Sequence, residues 1–227
     1  MIIGIPKETN TFERRVSVTP ETVKKLIASD HTVLIEKGAG EDSFILNNQY
    51  KSVGATIISL AEELLSKSDI IFKVSPFDNS QLDTLKDDTS IISFFQIKDE
   101  LENISKYINK KITLFSMSHI PRTTLAQNMD ALSSQSNIAG YKSIIIGANH
   151  ISKYMPLLMT AAGTIKPAKV LILGAGVAGL SAIATAKRMG SQVFAFDVRP
   201  VVKEKVESLG AKFIEVKSKE DEGTGEG

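Results

Sequence analysis

Short β-branched runs alternate with helix-length amphipathic segments from the first residues onward, and that alternation narrows the fold more than any other feature. Ile2–Ile5, Thr32–Glu36 and residues 69–74, 90–95 and 112–115 read as strands. Residues 20–29, 60–68, 81–86 and 100–109 read as helices between them, the first with Thr19 as its N-cap and Pro20 at its first position. Residues 38–48 read as a loop. Strands alternating with helices imply a parallel sheet covered on both faces, and right-handed crossovers make a doubly wound layer the default. A long helical region follows over 123–150, interrupted near Gly140. A connecting segment comes next, and Pro167 precedes a second strand–helix series. The pattern therefore divides the chain into an N-terminal domain over 1–150, a connection over 151–168 and a second domain from 169 to 227. Residues 217–227, charged and glycine-rich, read as a mobile tail.

Composition removes several classes of function. A formal net charge of +1 offers no concentrated basic surface for nucleic acid. With no Cys and only three widely spaced His, disulfides, thiolate catalysis and a Cys- or His-rich metal site are not expected. The start, Met-Ile-Ile-Gly-Ile-Pro-Lys-Glu, lacks the basic segment and apolar run of a signal peptide, so a cytosolic-type chain is expected. Residues 170–186 carry no charge, but they fall short of the roughly 20 residues a membrane span needs and contain three turn-forming glycines. No membrane insertion by this segment is expected.

The strongest chemical signal is Lys169-Val-Leu-Ile-Leu-Gly174-Ala-Gly176-Val-Ala-Gly179. A bare G-x-G-x-x-G is weak evidence, but here it leaves an apolar strand and opens an alanine-rich helix, as dinucleotide binding requires. Gly174 suits the tight turn, Gly176 leaves room for a pyrophosphate at the backbone, and Gly179 permits close packing of helix on strand. The helix start at Val177 and Ala178 offers unpaired N–H groups and positive dipole. Strand 192–196 ends at Asp197, 23 residues after Gly174, near the interval of about 20 expected for a ribose-binding acid. A carboxylate there favours NAD(H) over its 2′-phosphorylated form. Arg199 argues the other way, since a guanidinium can neutralise a 2′-phosphate. Strands near 169–173, 192–196 and 212–216 make only half of a six-stranded dinucleotide domain, which would leave strand 169–173 with an apolar edge. The expected architecture is α/β, with two Rossmann-like doubly wound parallel-sheet domains, the second incomplete, as in a fragment or split subunit.

Ahead of that motif, Arg122, Gln127, Asp130 and Ser133 bring hydrogen-bonding groups at helix-like spacing. Taken alone, a solvated helix face explains the spacing of Gln127, Asp130 and Ser133 better than a site does. The functional reading has Arg122 holding an anionic or amide group while Gln127 and Asp130 bind a nicotinamide ribose or carboxamide. Arg15, between the first strand and first helix, and Lys73, near the end of strand 69–74, can each bind a carboxylate, although a surface Arg and a strand-end Lys are commoner explanations. His31 and His150 read as structural, and His119 has no visible carboxylate partner for acid–base work.

Residues Gly4-Ile-Pro-Lys-Glu8, Glu13-Arg-Arg-Val16 and Thr19-Pro20 resemble the opening of the alanine dehydrogenase and proton-translocating transhydrogenase superfamily. Pro121-Arg122, Ala126-Gln127-Asn128-Met129-Asp130-Ala-Leu-Ser133-Ser134 and Phe196-Asp197-Val198-Arg199-Pro200 resemble the transhydrogenase alpha subunit, as does the terminal Glu-Gly-Thr-Gly-Glu-Gly. The resemblance implies an NAD(H)-binding part whose nicotinamide end, the reacting end, is positioned by Arg122, Gln127, Asn128, Met129, Asp130 and Ser133. The pyrophosphate would lie at Gly174, Gly176, Val177, Ala178 and Gly179, and the adenosine ribose at Asp197, Val198 and Arg199. It further implies an NADP(H)-binding beta subunit and a proton-conducting membrane domain as partners. A homodimer and a peripheral place on the cytoplasmic or matrix side belong to the same expectation. The alternatives are an NAD-dependent alanine dehydrogenase, with Arg15 and Lys73 at that enzyme's carboxylate-binding positions, or a non-catalytic truncated remnant. Against the dehydrogenase, Phe94-Phe95-Gln96-Ile97 stands where its substrate histidine should follow a strand, and glutamine cannot shuttle a proton.

Overall fold

The computed structural model describes residues 1–121 and 123–216. The chain divides into two compact units, Met1–Asp130 and Ala131–Gly227. Arg122 and the expected tail at 217–227 lie outside the described residues.

In the first unit, six strands form one parallel sheet: β1 (Ile2–Ile5), β2 (Thr32–Glu36), β3 (Thr56–Ile58), β4 (Ile70–Phe72), β5 (Ser90–Ser93) and β6 (Thr113–Ser116). Their order is β3-β2-β1-β4-β5-β6, so the winding reverses between β1 and β4. Period-two alternation divides the apolar residues between the faces. Val33 and Ile35 of β2 join Ile3, Ile5 and Val23 in one core, while Leu34 joins Leu64, Ile71 and Ile91 in the other. Helix α1 (Pro20–Ala28) starts as expected, with the Thr19 hydroxyl accepting from the Thr22 N–H at 3.4 Å. Beyond α1, the stretch expected as loop contains the start of α2 (Asn47–Ser52), and the short edge strand β3 follows it. Helix α2 escapes a periodicity reading because its polar residues serve local backbone: Asn47 Oδ1 accepts the Gly38 N–H at 2.9 Å and Gln49 Oε1 the Leu46 N–H at 2.7 Å. Its anchor is Tyr50, fully buried, whose hydroxyl donates to the Val18 carbonyl at 2.8 Å.

Helices α3 (Ala61–Lys67) and α4 (Asn79–Thr84) complete the crossovers, and α5 (Ile104–Asn109) follows a 3-10 stretch over Ile97–Asn103 where one helix over 100–109 is expected.

The second unit opens with α6 (Ala131–His150), then an antiparallel hairpin of β7 (Leu158–Thr160) and β8 (Gly163–Ile165) within the expected connection. A parallel series follows: β9 (Lys169–Leu173), α7 (Val177–Arg188), β10 (Gln192–Phe196), α8 (Lys203–Ser208) and β11 (Lys212–Phe213), in the sheet order β11-β10-β9. Strand β11 is shorter than the run 212–216 suggests. Among the described residues β9 pairs with β10 alone, and its Leu171 and Leu173 are exposed. Helix α6 packs within this unit, although the sequence pattern groups it with the residues before it. It also runs unbroken through Gly140, where the sequence suggests an interruption. A Cβ on Gly140 would collide with the Ala178 carbonyl and lie 3.0 Å from Ser181 Cβ, so the glycine lets α6 approach α7 closely. The Ser181 hydroxyl donates to the Asn137 carbonyl at 2.8 Å and fixes that approach.

Two outcomes test this packing. Burial pushes the Tyr50 hydroxyl up to about 12, above an unfolded value of about 10. Its neutral form thus contributes stability in full below pH ~10, which is lost as pH rises toward ~12. Tyr50→Phe should cost about 1 kcal/mol in urea unfolding near neutrality and should flatten that alkaline loss. Gly179→Ala should destabilise by more than the few tenths of a kcal/mol typical of a surface change, read as a lowered Tm, because a Cβ there collides with the Gly174 carbonyl.

Candidate functional site

The turn that joins β9 to α7 uses its three glycines in three ways. Gly174 has φ +92°, which favours glycine, and its N–H donates to the Phe196 carbonyl at 2.8 Å. Gly176 is the residue before α7, with φ −77° and no side-chain cap. A Cβ on Gly174 or Gly176 would meet no atom within 4 Å, so open space stands over this stretch of backbone. Gly179, in contrast, faces the turn itself and admits no side chain. The first closing bond of α7 runs from the Leu180 N–H to the Gly176 carbonyl at 2.8 Å. The N–H groups of Val177, Ala178 and Gly179 precede it and by helix geometry have no carbonyl four residues back. No acidic residue lies in the first turn, and Lys187 and Arg188 occupy the last, in keeping with the helix dipole. The result is an open cradle of amide donors suited to an anion. A diphosphate fits it, since the cradle is the space a Cβ would fill.

Asp197 sits at the end of β10, 8% exposed. Its Oδ2 accepts the Ala175 N–H at 2.7 Å, which ties the acid to the glycine turn 22 residues earlier. The Arg199 N–H reaches Oδ1 at 2.8 Å, and the Arg199 guanidinium forks across both oxygens, Nε to Oδ1 and Nη2 to Oδ2, each at 3.0 Å. The guanidinium hydrogen bonds first, and the Ala175 N–H next, hold the carboxyl well below the usual carboxylate range. It stays ionised throughout the physiological range. Val198, between them, is exposed. The two sequence signals, glycines and acid, thus meet at one place.

The polar candidates ahead of the glycine motif are arranged differently from what their spacing suggests. Gln127, Asn128 and Met129 are exposed members of a 3-10 turn, Thr124–Met129, anchored by buried Ala126. Asp130 leaves that turn with φ −77° and ψ 71°, its N–H donating to the Gln127 carbonyl at 3.2 Å. Ser133 lies in the first turn of α6. Gln127, Asp130 and Ser133 therefore do not share one helix face, because the helix begins only after Asp130. Arg122 lies outside the described residues.

At the reversal point of the six-stranded sheet the structure adds a residue that sequence reasoning missed. Glu8, after β1, accepts from Lys73 Nζ at 3.0 Å and from the Val74 and Ser75 N–H groups at 2.7 and 3.2 Å. The side chains of Lys73 and Glu8 are 0% and 5% exposed. Lys73 also donates to the Pro76 carbonyl at 3.2 Å. Arg15 makes a two-point pair with Glu13, at 2.8 Å from Nε and 2.7 Å from Nη2. The only local hint of Glu8 is a charged pair directly after the first strand. His119 Nδ1 lies 3.0 Å from the Ser116 hydroxyl.

The chain is similar to known proteins over most of its length. The model for the alanine dehydrogenase/PNT N-terminal domain matches residues 4–139, and that for the C-terminal domain matches 143–226. The chain is similar to a polypeptide of the NAD(P) transhydrogenase subunit alpha of Rhodospirillum rubrum, 43% identical over 221 residues that cover 95% of this chain and 58% of that polypeptide. Among solved structures it is similar to the transhydrogenase from Sinorhizobium meliloti, with a TM-score of 0.91 and 42% identity over 95% of this chain and 64% of that one. An L-alanine dehydrogenase matches with a TM-score of 0.82 and 27% identity over 94% of this chain and 60% of that one. The chain spans less than two thirds of the length of each of these relatives. Matched by both domain models over nearly all its residues, the chain belongs to the alanine dehydrogenase/PNT family.

Proposed function

We infer that the second unit binds NAD(H), and that the chain is the NAD(H)-binding part of a proton-translocating transhydrogenase. In this reading hydride passes between NAD(H) and NADP(H) held on a partner domain. The observation that carries it is the anchored acid beside an open amide cradle. Asp197 is tied to the glycine turn at Ala175, while Gly174 and Gly176 leave room for a ligand. The N–H groups of Val177, Ala178 and Gly179 would hold the pyrophosphate. Asp197 would accept from the adenosine ribose hydroxyls and repel a 2′-phosphate, with Val198 and Arg199 flanking it. By family likeness, Arg122, Gln127, Asn128, Met129, Asp130 and Ser133 position the nicotinamide end.

The nicotinamide supplies the hydride chemistry. The protein's own part is to orient the ring and exclude water, so no side chain need move a proton. The similarity to an alpha subunit supports partner subunits, here an NADP(H)-binding beta subunit and a membrane domain, with a second copy of this chain as a further partner. Among the described residues no helix is long and apolar enough to cross a membrane. By family likeness the proton path is assigned to the partners, and the chain to their cytoplasmic or matrix face. An alanine dehydrogenase reading finds less support, because the Lys73 ammonium is already taken by Glu8 inside the chain.

Titration of NADH, followed by its fluorescence, tests the reading with the chain alone and with the remaining polypeptide of a relative added. Saturable binding is expected, and no binding under either condition would leave a non-catalytic remnant as the better account. Gly176→Ala should keep the parent Tm, since its Cβ meets nothing, yet weaken NADH binding. Asp197→Ala should weaken it by about ten-fold or more, the effect of lost charge-assisted hydrogen bonds. Alanine-dependent reduction of NAD that disappears in Lys73→Ala would instead favour amino-acid chemistry.

A further inference from the structure

A carboxylate that receives a ribose diol needs acceptor edges open to the ligand, and Asp197 does not present them. Its side chain is 5% exposed, whereas the side chain of Arg199 that covers it is 58% exposed. Two of the four donors on the carboxylate are backbone N–H groups, from Ala175 and Arg199, and these fix its position. The other two belong to one guanidinium, laid across both oxygens at 3.0 Å. Backbone donors cannot leave without moving the glycine turn or the chain just after β10. The guanidinium can leave by side-chain rotation alone, into solvent that already surrounds it.

An arginine displaced in this way stays close, because it is tethered two residues from the acid. Its fork would then lie beside the ribose with its donors free. A planar guanidinium matches a phosphate at two points as well as it matches a carboxylate. One ion pair therefore contains both halves of a specificity decision. The acid disfavours a 2′-phosphate, and the base it holds is able to bind one.

We propose that Arg199 is a displaceable latch on Asp197 and that the pair sets the adenosine-end specificity: while Asp197 is charged the site takes an unphosphorylated ribose, and once that charge is removed Arg199 takes a 2′-phosphate. This inference rests on the NAD(H) reading and deepens it. The latch competes with ribose hydroxyls for the same two oxygens, so its removal does not weaken binding of the unphosphorylated ligand.

Isothermal titration of the chain with ADP-ribose and with 2′,5′-ADP tests this in four forms: parent, Asp197→Asn, Arg199→Ala and the double variant. Asn keeps an acceptor for the Ala175 N–H, and a thermal melt checks that it folds. Asp197→Asn should bind 2′,5′-ADP about ten-fold or more tighter than the parent, and the double variant should lose that gain. Arg199→Ala alone should bind ADP-ribose more tightly than the parent, because the competing donors are gone, and this arm stands even if the Asn variant does not fold. The proposal is overturned if Asp197→Asn gains nothing for 2′,5′-ADP, or if the gain survives in the double variant. It is overturned equally if Arg199→Ala leaves ADP-ribose binding unchanged, which would mean no competition, or weakens it, which would make the arginine a ligand contact. A parent chain that binds no ADP-ribose would sink the NAD(H) reading and this inference together. ADP-ribose binding without the predicted gain removes the inference alone.

Discussion

The hydrogen bond from the Ala175 N–H to the Asp197 carboxylate, 2.7 Å long and buried, depends on one register of one parallel ladder. Leu173 lies opposite Phe196 in the pairing of β9 with β10, so the Gly174 N–H reaches the Phe196 carbonyl and the next residues of each strand meet. Val193, Ala195 and Asp197 are the alternate buried positions of β10, 4%, 0% and 8% exposed. The acid thus continues the line of residues that face the core and ends it at the glycine turn. A slip of one residue would send Val193 and Ala195 to the opposite face and carry Asp197 with them. The apolar burial that fixes the sheet therefore also fixes the charge, and no separate device is needed to aim it.

Small residues extend that control to the helices. Ala182, Ile183 and Ala186 line the buried side of α7. Gly179 lets the first turn of α7 sit against the strand-end carbonyl of Gly174, and Gly140 lets α6 sit against the carbonyl of Ala178. A bulkier residue at either glycine would push out the turn whose amide groups form the cradle. Close packing and the open amide cradle thus share the same few atoms.

Much of this was readable in the residues, for reasons that differ from place to place. The strands of the first unit announce themselves because both faces of a parallel sheet are buried and their runs are β-branched. The glycine turn and Asp197 are readable because a fixed fold imposes a fixed spacing. Helix α2 and strand β3 are not, being short and polar or too brief to show a period. Gly140 misleads because a glycine inside a helix signals a break when its neighbour is unknown, and its reason lies on α7, some forty residues away. The pattern at Gln127, Asp130 and Ser133 misleads because spacing by threes does not reveal that the helix begins after Asp130. Glu8 is hidden for the simplest cause: its partner Lys73 is 65 residues off.

Glu8 also explains why the two parallel sheets, wound by the same rule, differ in chemistry. In an open α/β sheet the crevice beyond the strand C-termini, where the winding reverses, is the expected ligand position. In the first unit that crevice lies beyond β1 and β4, and the chain fills it with its own anion: the Glu8 carboxylate takes the Val74 and Ser75 N–H groups and neutralises Lys73. Removing that carboxylate would strand a buried ammonium, so the pair is held by the cost of breaking it more than by any net gain from forming it. After β9 the turn carries glycines: its Ala175 N–H donates to the Asp197 carboxylate, while the N–H groups of Val177, Ala178 and Gly179 have no carbonyl four residues back. The winding reverses between β1 and β4 in the first sheet, whereas the order β11-β10-β9 holds no reversal among the described residues. The two turns differ in where the carboxylate comes from: Glu8, three residues past β1, reaches the backbone after β4, and Asp197, just past β10, reaches back to the turn after β9.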